Sequence, residues 1–190
     1  MKITPFQDAH VGLEPYRPEA APIFKTVFDP PPEFPQLGAL ARPCEEADVA
    51  LLLDNPRDKP VSAIHYTWTQ TFQSGYSSTR SLFSYGYRVE ECRAVIGSRK
   101  RLLVTPETSV SESLLEQVLA DNSGLLGSGG PPIVHWHEAV EWRFELLALI
   151  FEDGEMVGPA AERLADRIQC ELRPSTSMQS CASRTMRDAT

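Results

Sequence analysis

The sequence predicts a mainly β protein, an antiparallel β-sandwich with a proline-rich extended N-terminal arm and a C-terminal helix, and three observations lead there. The stretch VSAIHYTWTQTF (61–72) alternates with period two and is rich in β-branched and aromatic residues, the pattern of a pleated strand. Short apolar runs separated by turn clusters recur between Asp48 and Phe151, as stacked sheets require. Nine prolines between Pro5 and Pro43 argue against regular helix there, since each removes a donor and keeps its predecessor extended.

Three segments follow from these patterns: an arm over 1–45, a sandwich with its helix over 46–173, and a polar, loosely ordered tail over 174–190. Between the prolines of the arm stand Ile23, Phe24, Val27, Phe28 and Phe34, apolar groups that are costly to leave in water. They are expected to pack along their own domain or against a neighbouring subunit.

Each element of the sandwich has its own signal. Val49 to Leu53 is apolar throughout and stops at the turn cluster Asp54-Asn55-Pro56. On the strand over 61–72, Ile64, Tyr66, Trp68 and Phe72 share one face, and Val61, Ala63, His65, Thr67, Thr69 and Thr71 the other. Ser74-Gly75 turns the chain into Tyr76 to Tyr85, the expected antiparallel partner. Further strands are expected at Cys92 to Ile96 and Leu102 to Thr105. Ser113-x-x-Glu116 before Val118 and Leu119 reads as a capping box that starts a short helix over 114–120.

The glycines of Asn122 to Pro132 mark a flexible loop, and a strand from Ile133 to Phe151, broken near its middle, ends at the hairpin turn Glu152-Asp153-Gly154. Pro159 at a first helical position, followed by Ala161, Leu164, Ala165, Ile168 and Leu172, predicts an amphipathic helix that Pro174 stops.

The succession LLLDNPRDKPVSAIHYTWT, a run ending near RLLVTP, and ELLALIFEDGEMVGP before a helix resembles uncharacterised bacterial proteins with an immunoglobulin-like β-sandwich. Asn55, Lys59, Pro60, Val61, Phe151, Asp153, Gly154 and Gly158 hold the matching places. The likeness covers about two thirds of the chain and implies a fold without implying catalytic residues.

Composition narrows the function. At 190 residues and 21.1 kDa, with 42% hydrophobic and 23% charged residues, the chain has the make-up of one globular domain. A net charge of −8 repels a phosphate backbone unless one face is locally basic, which argues against nucleic acid. No apolar run approaches the ~20 residues of a membrane span, and the N-terminus lacks a signal-peptide core. A cytoplasmic protein is the expectation, or an extracellular one if a leader was removed. Cys44, Cys92, Cys170 and Cys181 form no C-x-x-C pair, and buried free thiols are expected.

Candidate chemistry lies in two places. His135 and His137, two apart on a strand, project from one face with Glu141, a set that suits zinc or iron with an open position for water. With Gly129 these residues resemble the first cupin motif, but no histidine follows His137 and Ala148 stands where the motif has its second glycine. The plainer reading of the same residues is two histidines on a solvated strand face flanked by Trp136. Arg99, Lys100 and Arg101 form the one basic cluster, either a solvated turn or an anion contact.

Two functional readings result. One is a non-catalytic binding or assembly protein, homo-oligomeric through an arm that adds a strand to another copy's sheet edge. The other is a metal-dependent, cupin-like hydrolase or oxygenase that uses His135, His137 and Glu141.

Overall fold

The computed structural model describes residues 1–5, 10–34, 49–85, 87–88, 91–92, 94–106, 109–121 and 139–172. In chain order they form β1 (Lys2–Thr4), β2 (Gly12–Pro15), a 3-10 turn (Pro22–Phe24) leading into α1 (Lys25–Phe28), β3 (Leu51–Asp54), β4 (Val61–Phe72), β5 (Ser77–Tyr85), β6 (Tyr87–Arg88), β7 (Glu91–Cys92), β8 (Arg101–Val104), β9 (Ser109–Ser111), α2 (Glu112–Asp121), β10 (Ala139–Phe151), β11 (Met156–Val157) and α3 (Ala161–Leu172). The protein is mainly β, with two principal sheets and three α-helices among the described residues. No helix among the described residues is long and apolar enough to cross a membrane.

The larger sheet runs β1-β10-β4-β5, with β11 beside β10, and the smaller runs β2-β3-β8-β9. Their facing sides share one core: Leu51, Leu53, Leu102 and Val104 from the smaller sheet meet Ile64, Tyr66, Trp68, Phe144, Leu149 and Phe151 from the larger. Burying each such side chain contributes about 1.5–3 kcal/mol, so this interior is the main source of stability. Trp68 packs edge-on against Phe144 at 5.1 Å and Trp142 at 6.1 Å.

Both outer faces are also covered. Leu164 and Ile168 of α3 lie on Ala63 and Ala148 of the larger sheet, which explains why β4 is buried along both of its alternating faces. Phe24, Val27, Leu115 and Val118 cover Ala50, Leu52 and Leu103 of the smaller sheet. Helix, sheet, sheet and helix therefore follow one another. The alternation of 61–72 identified the strand but could not show that its second face also has a cover.

The segment read as an extended arm is woven into the fold. β1 lies parallel to β10, with Ile3 beside Phe144, and β2 lies antiparallel to β3, with Leu13 beside Leu53. Between them Pro22–Phe28 is helical, against the expectation from the prolines. Pro22 stands in the first helical turn, where no N–H is needed, and the next proline, Pro30, comes after the helix has ended.

Smaller departures have local causes. α2 starts at Glu112, because Ser111 and not Ser113 is the cap: its Oγ accepts the Leu114 N–H at 3.2 Å. Of the strand expected over Cys92 to Ile96, the described residues show Cys92 at the end of β7 and a bridge of Ile96 with Val61, whose carbonyl accepts both the Val95 and Ile96 N–H groups. Cys170 is exposed on α3, off the Ala161, Leu164, Ile168 stripe, and not a buried thiol. Cys44, Cys181, the loop over 122–132 and the tail over 174–190 lie outside the described residues.

Candidate functional site

Of the proposed metal set, His135 and His137 lie outside the described residues. Glu141 is exposed on β10 beside Thr71 of β4. Among the described residues no group of three His, Cys, Asp or Glu is placed to hold a metal ion.

The basic triplet is matched charge by charge. Arg99 pairs with Asp58 at 2.6 Å, Lys100 with Glu116 at 2.5 Å, and Arg101 with Glu112 at 2.7 Å. Arg101 also gives its backbone N–H to Glu112 at 3.0 Å and a guanidinium N–H to the Ala20 carbonyl at 2.8 Å. Burial pushes the Glu112 carboxyl up, but these bonds and the Arg101 charge outweigh it and hold the group below its ordinary range. The pair ties the arm and α2 to β8.

All but Gly158 of the residues that carried the bacterial resemblance converge at one corner. Asn55, fully buried, donates through Nδ2 to the carbonyls of Lys59 and Gly97, both at 3.0 Å, and accepts the Arg57 N–H at 3.2 Å. Above it the Glu155 carboxylate accepts both ends of the Arg57 guanidinium, at 2.9 and 3.0 Å, and the Lys59 ammonium, which also reaches Asp153 at 2.6 Å. Arg57 and Lys59 both lie over the Phe151 ring. The hydrogen bonds from Arg57 and Lys59 hold the Glu155 carboxyl down at about 2. This corner fastens the β10–β11 hairpin, turned by Gly154 at φ 86°, onto the loop before β4. Its charges neutralise one another.

His65 sits beneath α3, 3% exposed. Its Nε2 meets Ser81 Oγ at 2.8 Å, its ring stacks on Phe83 at 4.0 Å, and the Arg167 guanidinium lies 4.0 Å over that same phenyl ring. Burial, with the charges of Arg163 and Arg167, pushes the imidazole down to about 4, so it is neutral at physiological pH.

The apolar groups of the arm, expected on their own domain or on a neighbouring subunit, pack against their own domain. Phe24 and Val27 are fully buried, and Ile23, Phe28 and Phe34 pack against the same cluster, with Phe28 stacked on Tyr16 at 5.2 Å.

Among the described residues, one flank of the sandwich stays open. β5 is the last strand of the larger sheet and has nine residues, with Arg80 as its single charge. The Phe72 N–H donates to the Tyr76 carbonyl at 2.9 Å, so by antiparallel alternation even positions of β5 bond to β4. Ser77, Thr79, Ser81, Phe83 and Tyr85 therefore turn their backbone N–H and C=O groups outward. The other terminal strands are short: three residues in β1, two in β11, four in β2 ending at Pro15, and three in β9.

On this flank the smaller sheet ends at β9, and an open cleft of about 380 Å³ lies between the two edges. Ser84, Ser109, Ser111 and Ser113 give it hydroxyl groups, and Val95 and Leu102 give it an apolar lining. None of its lining residues carries a charge. Beside it the Tyr66 hydroxyl, hydrogen-bonded to Ser109, is pushed up to about 12 by burial and is neutral too. At the far end of β5, Tyr76 is 66% exposed and stacks on Phe72 at 6.0 Å. The composition of β5, with Ser77, Ser78, Thr79, Ser81 and Ser84 against one arginine, was the only hint of this site in the sequence.

No protein-family model, curated protein or solved structure matches the chain.

Proposed function

We propose that this is a non-catalytic binding or assembly protein that works by strand addition at the β5 edge. The observation that carries the reading is the length of that edge: nine residues, five of them with outward backbone groups, one charge, no proline and no strand beside it among the described residues. Natural proteins blunt such edges with charges, prolines or a covering segment unless another chain is meant to pair there. Hydrogen bonds from an incoming backbone supply affinity, and side chains alternating beside the strand supply selectivity.

Self-association through the arm takes a changed form here. Its strands already pair within the chain and Phe24 and Val27 are buried, so the arm protects β10 and β3 while β5 keeps its edge. The immunoglobulin-like arrangement belongs to the same proposal, supported by the core shared between two sheets and by the β10–β11 hairpin. The metal-dependent alternative rests on the spacing of His135, His137 and Glu141 alone.

The test is a proline at an outward position. Thr79→Pro removes an N–H that faces away from β4, so thermal unfolding is expected to stay close to the parent. Static light scattering is expected to show a parent heavier than one chain and a monomeric variant. A parent that stays monomeric at high concentration would contradict assembly at this edge.

A further inference from the structure

We infer that the partner at β5 is a second copy of this chain, paired antiparallel across a two-fold axis, with Tyr76 of each copy seated in the serine-lined cleft of the other. The inference rests on the strand-addition reading and names its occupant. Like a strand in any antiparallel pair, β5 meets its own copy end to end, so whatever stands at one end faces what stands at the other. One end carries the exposed Tyr76 and the other lines the cleft with Ser84 and Tyr85.

Parity puts both on the same face. Tyr76 stacks on Phe72, which shares the inner side of the larger sheet with Trp68 and Tyr66, and Ser84 is on that side opposite Ile64. The outward N–H and C=O groups are on odd positions, so odd residues must meet odd residues between the copies. With Arg80 on the axis, two guanidinium groups would stand directly opposite, which disfavours that register. With Ser81 on the axis, Arg80 faces Leu82 of the other copy, and Thr79 faces Phe83. Tyr76 then falls one position beyond Tyr85 of the other copy and diagonal to Ser84, within reach for an aromatic side chain.

The chemistry matches as well. A tyrosine has an apolar ring for the Val95 and Leu102 lining and one neutral hydroxyl for the serines, and the uncharged cleft imposes no ionic demand. Each copy contributes the same contact, so two tyrosines are buried per dimer. Two paired strands and two tyrosines make a small interface, which places the association in the micromolar range rather than the nanomolar one.

The test is sedimentation velocity over a range of concentrations, with the full chain. Tyr76→Ala and Ser113→Trp, the latter an exposed position at the cleft, are each expected to weaken dimerisation at least about tenfold. Combined, they are expected to be no worse than either alone, because both remove one contact. A Tyr76→Trp variant reports the seat directly, with emission moving to shorter wavelength as the protein is concentrated. If the parent dimerises and Thr79→Pro abolishes it, but Tyr76→Ala has no effect, the tyrosine seat is wrong and strand addition stands. If Tyr76→Ala and Ser113→Trp weaken the dimer additively, they act at separate places and the seat is equally overturned. A parent that remains monomeric would overturn the second copy as the occupant of β5.

Discussion

Replacing His65 by leucine is expected to flatten the fall in stability between neutral pH and pH 4. In the folded chain the imidazole titrates at about 4, against an ordinary value of 6.5, because burial and the charges of Arg163 and Arg167 oppose its protonation. The unfolded chain takes up that proton first. As pH falls through 6.5 the unfolded state gains a proton that the folded state refuses, so the contribution is fully present above 6.5 and is lost progressively down to the folded value. The two values bound the loss at about 3 kcal/mol, with a slope of at most ~1.4 kcal/mol per pH unit across the window.

Urea unfolding of the parent and of His65→Leu, measured at half-unit steps of pH, isolates this contribution. Carboxylates that titrate near the lower end affect both proteins and cancel in the difference. The difference in stability between the two is expected to change by about 2–3 kcal/mol over the window. Parallel curves would refute the reasoning, as would an imidazole titration near 6.5 in the folded protein.

Four other outcomes follow. Phe24→Ala is expected to cost about 3–5 kcal/mol in urea unfolding, because Phe24 is fully buried under the smaller sheet; a loss below about 1 kcal/mol would mean that the arm is not packed in place. Asn55→Ala is expected to cost about 2–3 kcal/mol, since it removes three buried bonds, to the Lys59 carbonyl, to the Arg57 N–H and to the Gly97 carbonyl, the last of which keeps the Lys100 N–H; an unchanged midpoint would remove its role at the corner. Self-association is expected to strengthen with added salt, because each copy carries a net charge of −8 and screening relieves their repulsion. For the metal-dependent alternative, His135→Ala and His137→Ala would have to lower metal content in protein purified without chelator, and unchanged content and stability in both variants would end that reading.

The sheets were more legible than their surroundings. The period-two pattern gave 61–72 to the residue, and the helix stripe Ala161, Leu164, Ile168 placed α3, because in both cases the local signal and the burial agree. The proline-rich start misled for a physical reason: proline forbids a helix interior and permits a first turn, and Pro22 occupies the permitted place. The cap of α2 was misassigned because Ser111 and Ser113 offer the same chemistry, and only the chain direction after β9 selects between them.

The candidate site was less legible still. Whether a strand stands at the centre or the edge of a sheet depends on long-range pairing, which the residues of β5 do not encode locally. The cleft beside it joins β5, β8, β9 and α2, whose positions in the sequence are up to about thirty residues apart. The corner at Asn55 shows the reverse. Its residues stood out in the sequence as a resemblance, and the structure uses them to fasten loops together.

Hydrogen exchange along β5 tests the central claim most directly. The amides of Ser77, Thr79, Ser81, Phe83 and Tyr85 are expected to exchange fast in dilute protein and slowly in concentrated protein, while those of Ser78, Arg80, Leu82 and Ser84 stay protected in both. Odd-position amides that exchange equally fast at both concentrations would show that no second strand pairs there, and the account would fail.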